Sequence, residues 1–256
     1  MGTGAVTEYI DVAQLALYAF WLFFFGLVAY LHRENMREGY PLEVEVPGRI
    51  RNELLPPPPP KTFVLHDGTT VTVPRPDSRI PIHATPQDGW PGAPLVPTGD
   101  PMADGVGPAA YADREDKPEL TVDGHPVIVP LRVETTFSIA PQDPDPRGME
   151  VVGADGFAAG TVADVWVDRG EPQIRYLEVQ LSQESGGRRV LLPIHYSRIS
   201  GSRRRVTVVS ILAGQFTGVP GTRSTDEITK LEEDRITAYY AGGTLYAEPG
   251  RQEPFL

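Results

Sequence analysis

The longest apolar run of the chain lies near its N-terminus, from Val12 to Leu31. The run reads VAQLALYAFWLFFFGLVAYL and carries no charge, and Gln14 is its strongly polar side chain. A helix of this length rises about 30 Å, which matches the hydrocarbon thickness of a bilayer. Tyr9 and Tyr30 lie near its ends, where amphipathic rings favour the interface. The pattern predicts one transmembrane helix over 12–31.

The charges around this run predict its orientation. Acidic side chains precede it and basic side chains follow it: Glu8 and Asp11 before, and His32, Arg33 and Arg37 after. The positive-inside rule therefore places residues 1–11 outside and the rest of the chain in the cytoplasm. A cleaved signal peptide does not fit, because no Lys or Arg precedes the run and no small-x-small cleavage site follows it.

Residues 32–110 are predicted to be extended and rich in proline and glycine. Pro56–Pro60 favours a polyproline II spacer, with a ligand for an SH3 or WW domain as the alternative. The β-forming runs Thr62–Leu65 and Thr69–Val73 flank Asp67-Gly68, which predicts a hairpin. The loop that follows is unusually long for an isolated domain, so we expect it to lie across another protein.

Short β-forming runs alternate with turn signals from about Met149 to Val209. The predicted strands are Ala158–Val167, Ile174–Leu181, Val190–Ile194 and Arg205–Val209. In the second strand the apolar residues Leu177, Val179 and Leu181 alternate with Tyr176, Glu178 and Gln180, which predicts two different faces. Strands this short and closely spaced predict a small antiparallel barrel.

A C-terminal helix near 225–241 is predicted to close a cytoplasmic domain over 111–256. Ser224 and Glu227 match a capping box, and Gly242-Gly243 can end the helix. The acidic run at its centre, Glu232-Glu233-Asp234, is typical of a solvated face.

Composition narrows the classes of function. The formal net charge of −11 argues against a nucleic-acid partner. The absence of cysteine excludes disulfides, thiolate metal ligands and cysteine nucleophiles. The common hydrolase, P-loop and dinucleotide motifs are missing, and the five histidines lack the spacing of a metal cluster, so we predict neither an enzyme nor a metal site.

A few titratable residues are candidates for proton chemistry. In a turn, Asp123 and His125 can point to the same side, and a carboxylate beside an imidazole makes a proton relay near neutral pH. From the spacing alone, an ordinary Asp-Gly turn with an exposed histidine is the simpler interpretation. Asp168 and Glu171 lie in the predicted turn after Val167, and their simpler interpretation is likewise that of solvated turn acids. The basic residues Arg188, Arg189 and Arg203–Arg205 fit anionic headgroups or acidic loops, but solvated strand ends are the simpler interpretation.

Several longer motifs resemble the H subunit of the purple-bacterial photosynthetic reaction centre, and the resemblance covers essentially the whole chain. The motifs are Glu34–Leu42, Pro97–Met102, Asp104–Ala109, Asp164–Asp168, Leu231–Asp234 and Tyr240–Gly243.

The resemblance implies a fold, a location and partners. The fold is a single N-terminal transmembrane helix with a mainly-β cytoplasmic domain, which contains a PRC-type antiparallel barrel and a C-terminal helix. The location is the photosynthetic inner membrane, with the N-terminus in the periplasm. The partners are the L and M subunits, which hold bacteriochlorophyll, bacteriopheophytin, quinones and a non-haem iron, whereas this chain binds no cofactor. A cytochrome subunit, a light-harvesting complex and membrane lipids are the further neighbours it suggests.

The resemblance also implies roles for residues. The subunit would stabilise L and M, shield the quinone sites and carry part of the proton route to the secondary quinone. Asp123 and His125 would lie at the proton entrance, and Glu171, Arg175 and Asp168 further in. Some family members have a second histidine two positions after the first, where this chain has Val127. Two other functions stay open: a membrane-tethered PRC-barrel scaffold for an unrelated cytoplasmic partner, and a membrane-anchored enzyme that uses Asp123, His125 and Glu171.

Overall fold

The computed structural model describes residues 11–40, 55–74, 82–90, 93–183 and 186–252. Tyr9, Glu8 and the rest of the predicted outer segment before Asp11 lie outside these residues. The chain forms two compact units. The first comprises residues 1–80 and 89–93, and the second comprises residues 81–88 and 94–256.

The first unit begins with helix α1, Val12–Asn35. Asp11 is its N-cap, and Gln14 completes a capping box, since the Gln14 backbone N–H donates to Asp11 Oδ1 at 2.8 Å. The polar interruption of the apolar run is therefore part of the helix start. The side chains over 12–31 are exposed, and α1 is long and apolar enough to cross a membrane. Helix α1 continues one turn beyond its predicted end at Leu31, and this last turn carries His32 and Arg33.

A β-hairpin completes the described part of the first unit. Strands β1, Lys61–Val64, and β2, Thr70–Val73, pair antiparallel around the predicted Asp67-Gly68 turn. Gly68 has a φ of 79°, which glycine adopts without steric cost. Arg37 joins α1 to the hairpin by donating to the carbonyls of Pro59 and Val73 at 2.9 and 3.3 Å.

The second unit is built on a seven-stranded sheet, preceded by a small hairpin of β3, Ala84–Pro86, and β4, Leu95–Pro97. The sheet strands are β5 Ile128–Pro130, β6 Glu150–Val152, β7 Ala158–Asp168, β8 Gln173–Leu181, β9 Arg189–Pro193, β10 Ser197–Ser200 and β11 Arg205–Val208. Their order is β10-β11-β6-β7-β8-β9, with β5 on the end of β7. All neighbours are antiparallel except β11 and β6. The two edge strands, β9 and β10, are joined by only Ile194–Tyr196, which requires the sheet to curl as in a barrel.

Strand β8 is buried on both faces, unlike the half-polar strand that the alternation predicts. Glu178 is 3% exposed and accepts hydrogen bonds from Arg132 Nη1 at 2.6 Å, Trp166 Nε1 at 2.8 Å and Arg189 Nη1 at 2.7 Å. Burial opposes its ionisation, but the bonds from Arg132 and Trp166 outweigh burial and hold the pKa of Glu178 below its ordinary value. A polar position in the sequence thus becomes a core position, because its charge has partners.

Helix α2, Lys230–Tyr246, begins and ends later than predicted. Its capping box is Thr229 with Glu232, not Ser224 with Glu227. Gly242 and Gly243 do not end the helix. A Cβ on Gly243 would lie 2.5 Å from the Ser210 carbonyl oxygen, so glycine is needed there for close packing.

Candidate functional site

Asp123 and His125 lie on a tight hairpin that precedes β5. Thr121 donates its backbone N–H to the His125 carbonyl at 2.7 Å, and Gly124 turns the chain with a φ of 81°. Both side chains are exposed. The hairpin is therefore an Asp-Gly turn, and both titratable groups are open to water.

Asp168 shapes the turn between β7 and β8. It is 8% exposed, and its Oδ1 accepts the backbone N–H groups of Gly170 and Glu171 at 2.8 and 3.0 Å. Glu171 is exposed beyond it and accepts from Gln173 Nε2 at 3.0 Å. A buried and a solvated carboxylate thus follow each other within one turn.

Arg169 joins the hairpin to this turn. Its backbone N–H donates to the Val127 carbonyl at 2.9 Å and its Nη1 to the Pro126 carbonyl at 3.0 Å. Its Nε donates to Glu134 Oε2 at 2.6 Å. Hydrogen bonds from Thr136 and from Arg169 lower the pKa of Glu134, so that carboxylate stays ionised as the anchor.

The two candidate segments consequently meet in one cleft. Pairing of β5 with β7 sets Ile128 opposite Asp168, which brings the preceding hairpin beside the turn. The cleft has a volume of about 720 Å³, and its lining includes Asp123, His125, Glu134, Arg169 and Gly170. Long-range pairing of β5 with β7 creates this neighbourhood, which no local motif shows.

Arg175 belongs to a second cluster, against helix α2. Its Nη2 lies 3.8 Å from Glu233 Oε2, which also accepts the Tyr176 hydroxyl at 3.2 Å. Burial raises the pKa of Glu233 in spite of these two neighbours. Burial and the charge of Arg175 lower the pKa of His195. Among the described ion pairs, the partner of Arg175 is Glu233 and not Glu171.

Glu233 is the functional candidate that sequence reasoning missed. The acidic run at 232–234 is typical of a solvated face, yet Glu232 and Glu233 are both buried. The spacing of Glu233, Ile236 and Tyr240 is the i, i+3, i+7 spacing of one helix face, and the latter two are core residues. That spacing was the available signal.

The arrangement brings carboxylates and an imidazole, groups that can exchange protons with water, onto two adjacent segments. Asp123 and His125 are open to water and Asp168 is buried, and Arg169 joins the two segments that carry them. In the described part of the chain, no group of three or more His, Asp or Glu is placed to hold a metal ion.

Two family models match the chain. Residues 4–133, about half of the sequence, match the photosynthetic reaction centre H-chain N-terminal region. Residues 142–213 match the PRC-barrel domain, and this range covers strands β6 to β11. The first match covers α1 and the Asp123–His125 hairpin, and the second covers the Asp168–Glu171 turn.

Proposed function

The chain belongs to the photosynthetic reaction centre H-chain family, and from this premise we propose that it is a non-catalytic lid over the quinone side of the L and M subunits. Membership implies association with L and M in a membrane, and α1 supplies the anchor. In this proposal the lid stabilises the assembled L and M core, shields the quinone sites and delivers protons to the secondary quinone. In this proposal residues 1–11 are periplasmic and the β-rich unit is cytoplasmic, as the flanking charges favour.

A role in assembly and shielding is supported by exposed apolar side chains on the extended parts of the chain. In the first unit these are Phe63, Val64, Leu65 and Trp90, and in the second Ile82 and Leu95. Apolar groups on short hairpins and loops gain free energy when a partner covers them. Contact with L and M would provide that cover and would exclude water from the quinone sites.

One observation supports the proposed proton route. Arg169 joins the Asp123–His125 hairpin to the Asp168–Glu171 turn. Quinol formation in a dry site needs titratable groups that connect the site to water. Asp123 and His125 collect protons at the surface, and Asp168 and Glu171 pass them inward. Arg175 and Glu233 lie beside this route and set its local charge.

The cofactors of the assembly, namely bacteriochlorophyll, bacteriopheophytin, quinones and a non-haem iron, would reside in L and M. This chain would contribute protons and cover, without ligands to any of them. A cytochrome subunit and a light-harvesting complex would be further neighbours in the same membrane.

Purification of the tagged chain from its native membrane tests this assignment. We expect it to bring down L and M together with bacteriochlorophyll absorbance, because the lid is part of one complex. The matched control is the same tag on an unrelated single-pass protein of the same membrane, which should yield no pigment.

Recovery of the chain as a colourless, monodisperse species, without L and M, would contradict the proposal. A complex with a different cytoplasmic protein would instead favour the scaffold function.

A further inference from the structure

A basic surface lies on the β10–β11 hairpin of this acidic chain. It consists of Arg198 on β10 and Arg203–Arg205 at the turn. All four residues are exposed. In strand pairing Arg198 lies opposite Thr207, so it shares the outward face of the hairpin with Arg205, while Val206 on the other face is buried. We call these four residues the arginine hairpin.

Part of this charge has no ion-pair partner among the residues that the structure describes. Arg205 pairs with Glu150 at 3.2 Å, and the nearby Arg147 pairs with Asp145 at 2.6 Å. Within the described part of the chain, Arg198, Arg203 and Arg204 form no ion pair. Arg198 and Arg203 are therefore open to an anion from outside the chain, whereas the charge of Arg204 also interacts with Asp145.

The backbone at Arg204 supports an external partner. Its φ is 45°, and it is the non-glycine residue with a positive φ in the described part of the chain. The left-handed region favours Gly or Asn at the end of such a turn, and a long side chain there costs about 1 kcal/mol or more. Arg204 is thus an unfavourable choice for folding, which points to a use for its charge.

The position of the arginine hairpin in the sheet identifies the partner. Strand β6 runs antiparallel to β7 and parallel to β11, with Glu150 opposite Arg205. The turn before Arg205 therefore lies at the end of the sheet towards which β7 runs, which is the end with Asp168 and Glu171. An apolar groove of about 550 Å³ connects the two places, because Ile199 of β10 and Pro172 of the β7–β8 turn both line it.

We propose that the arginine hairpin binds the anionic phospholipid headgroups of the membrane that holds α1. The inference rests on the proposed function, because there the Asp168–Glu171 end of the sheet faces the quinone sites and hence the bilayer. Arginine near an anionic surface contributes about fivefold each to partitioning, and guanidinium forks match phosphate oxygens. The hairpin would thereby fix the β-rich unit against the membrane surface beside the core.

A single fluorescent label at Ser202 tests this in the assembled complex, since the chain has no other cysteine once Ser202→Cys is made. The complex is placed in nanodiscs of phosphatidylcholine, with or without phosphatidylglycerol, each with the same small share of phosphatidylcholine whose headgroup carries a nitroxide quencher. We expect severalfold stronger quenching in the anionic discs, because each arginine shifts the equilibrium towards the lipid-bound hairpin about fivefold. The difference should disappear in Arg198→Gln/Arg203→Gln/Arg204→Gln and at high salt. Millimolar inorganic phosphate should leave it unchanged.

Two variants sharpen the result. In Arg147→Gln the label should be quenched as in the wild type, because Asp145 already neutralises the charge of Arg147. Arg204→Gly should raise the thermal midpoint of the chain, because glycine accepts this φ, and should still weaken the quenching.

Other outcomes overturn the inference. Quenching equal in both discs, or unchanged in the triple glutamine variant, would exclude binding of anionic lipid. Loss of quenching with millimolar phosphate would indicate a free-phosphate site, and a label shielded equally in both discs would indicate an acidic segment of a partner protein. Because the same discs report electron transfer to the secondary quinone, a failed lipid contact with normal kinetics would leave the proposed function intact.

Discussion

At the residue scale, the arrangement of the candidate site depends on Arg169, which joins its two segments. It donates to the Val127 and Pro126 carbonyls of the hairpin, whose tip is exposed, and to Glu134 beyond β5. Arg169 lies between Asp168 and Gly170 and fits no catalytic motif, so sequence reasoning assigned it no role. The candidate acids were predicted from the resemblance to a family, whereas Arg169, which joins their two segments, was not predicted.

Arg169→Gln should release the hairpin. We expect faster hydrogen exchange over 119–127 and slower protonation of the secondary quinone. The substitution removes two side-chain hydrogen bonds, one to the Pro126 carbonyl and one to Glu134, which together are worth about 1–3 kcal/mol. Exchange mass spectrometry of the assembled complex, together with flash kinetics, measures both effects.

The paired controls separate geometry from charge. Arg169→Lys keeps the charge but cannot make the forked contacts, so it should resemble Arg169→Gln in exchange. Arg147→Gln, a surface pair elsewhere on the unit, should change neither quantity. Exchange over 119–127 that stays at the wild-type rate in Arg169→Gln would show that other contacts hold the hairpin.

At the scale of elements, strands and helices were predicted better than their boundaries and faces. Turn residues and β-forming runs predict β1, β2, β7, β8, β9 and β11 closely, because those signals are local. The burial of Glu178 and Glu233 depends on partners from distant elements, namely Arg132 and Tyr176. Local patterning cannot show such partners, so Glu178 was assigned to a polar face. For Glu233 the spacing to Ile236 and Tyr240 was a local signal of burial, but the acidic run around it was interpreted as solvated.

The start of α2 gives a prediction at this scale. Thr229→Ala removes the side-chain cap on the Glu232 N–H and the bond from Thr229 Oγ1 to Asp116 at 2.8 Å. We expect the free energy of opening of the first turn of α2, measured by hydrogen exchange, to fall by about 1 kcal/mol. The loss should extend to residues 116–118, because Lys230 donates its backbone N–H to the Lys117 carbonyl at 3.1 Å.

Native-state hydrogen exchange of the complex measures this effect. Thr244→Ala, on the exposed side near the end of the same helix, is the matched control and should have little effect. An equal loss of exchange protection in Thr229→Ala and Thr244→Ala would mean that the capping box does not hold α2 in place.

At the scale of the whole molecule, one apolar helix and a PRC-barrel domain account for both family matches. The membrane helix was predictable from length and charge alone, since a bilayer imposes a simple pattern. Sequence motifs named the candidate residues but not their common location, because the pairing of β5 with β7 that brings the hairpin beside the turn is a long-range contact. The grouping of Arg175 with Glu233 likewise appears only in three dimensions.

The central claim is that the Asp168–Glu171 turn of this lid conducts protons to the secondary quinone. Flash kinetics of Glu171→Gln in assembled complexes test it most directly. The control is Glu248→Gln, an exposed glutamate paired with Arg251 beyond the C-terminal end of α2. We predict slower proton-coupled transfer of the second electron at neutral pH in Glu171→Gln, with primary charge separation unchanged and the control normal. A second electron transfer as fast as in the wild type would contradict the claim.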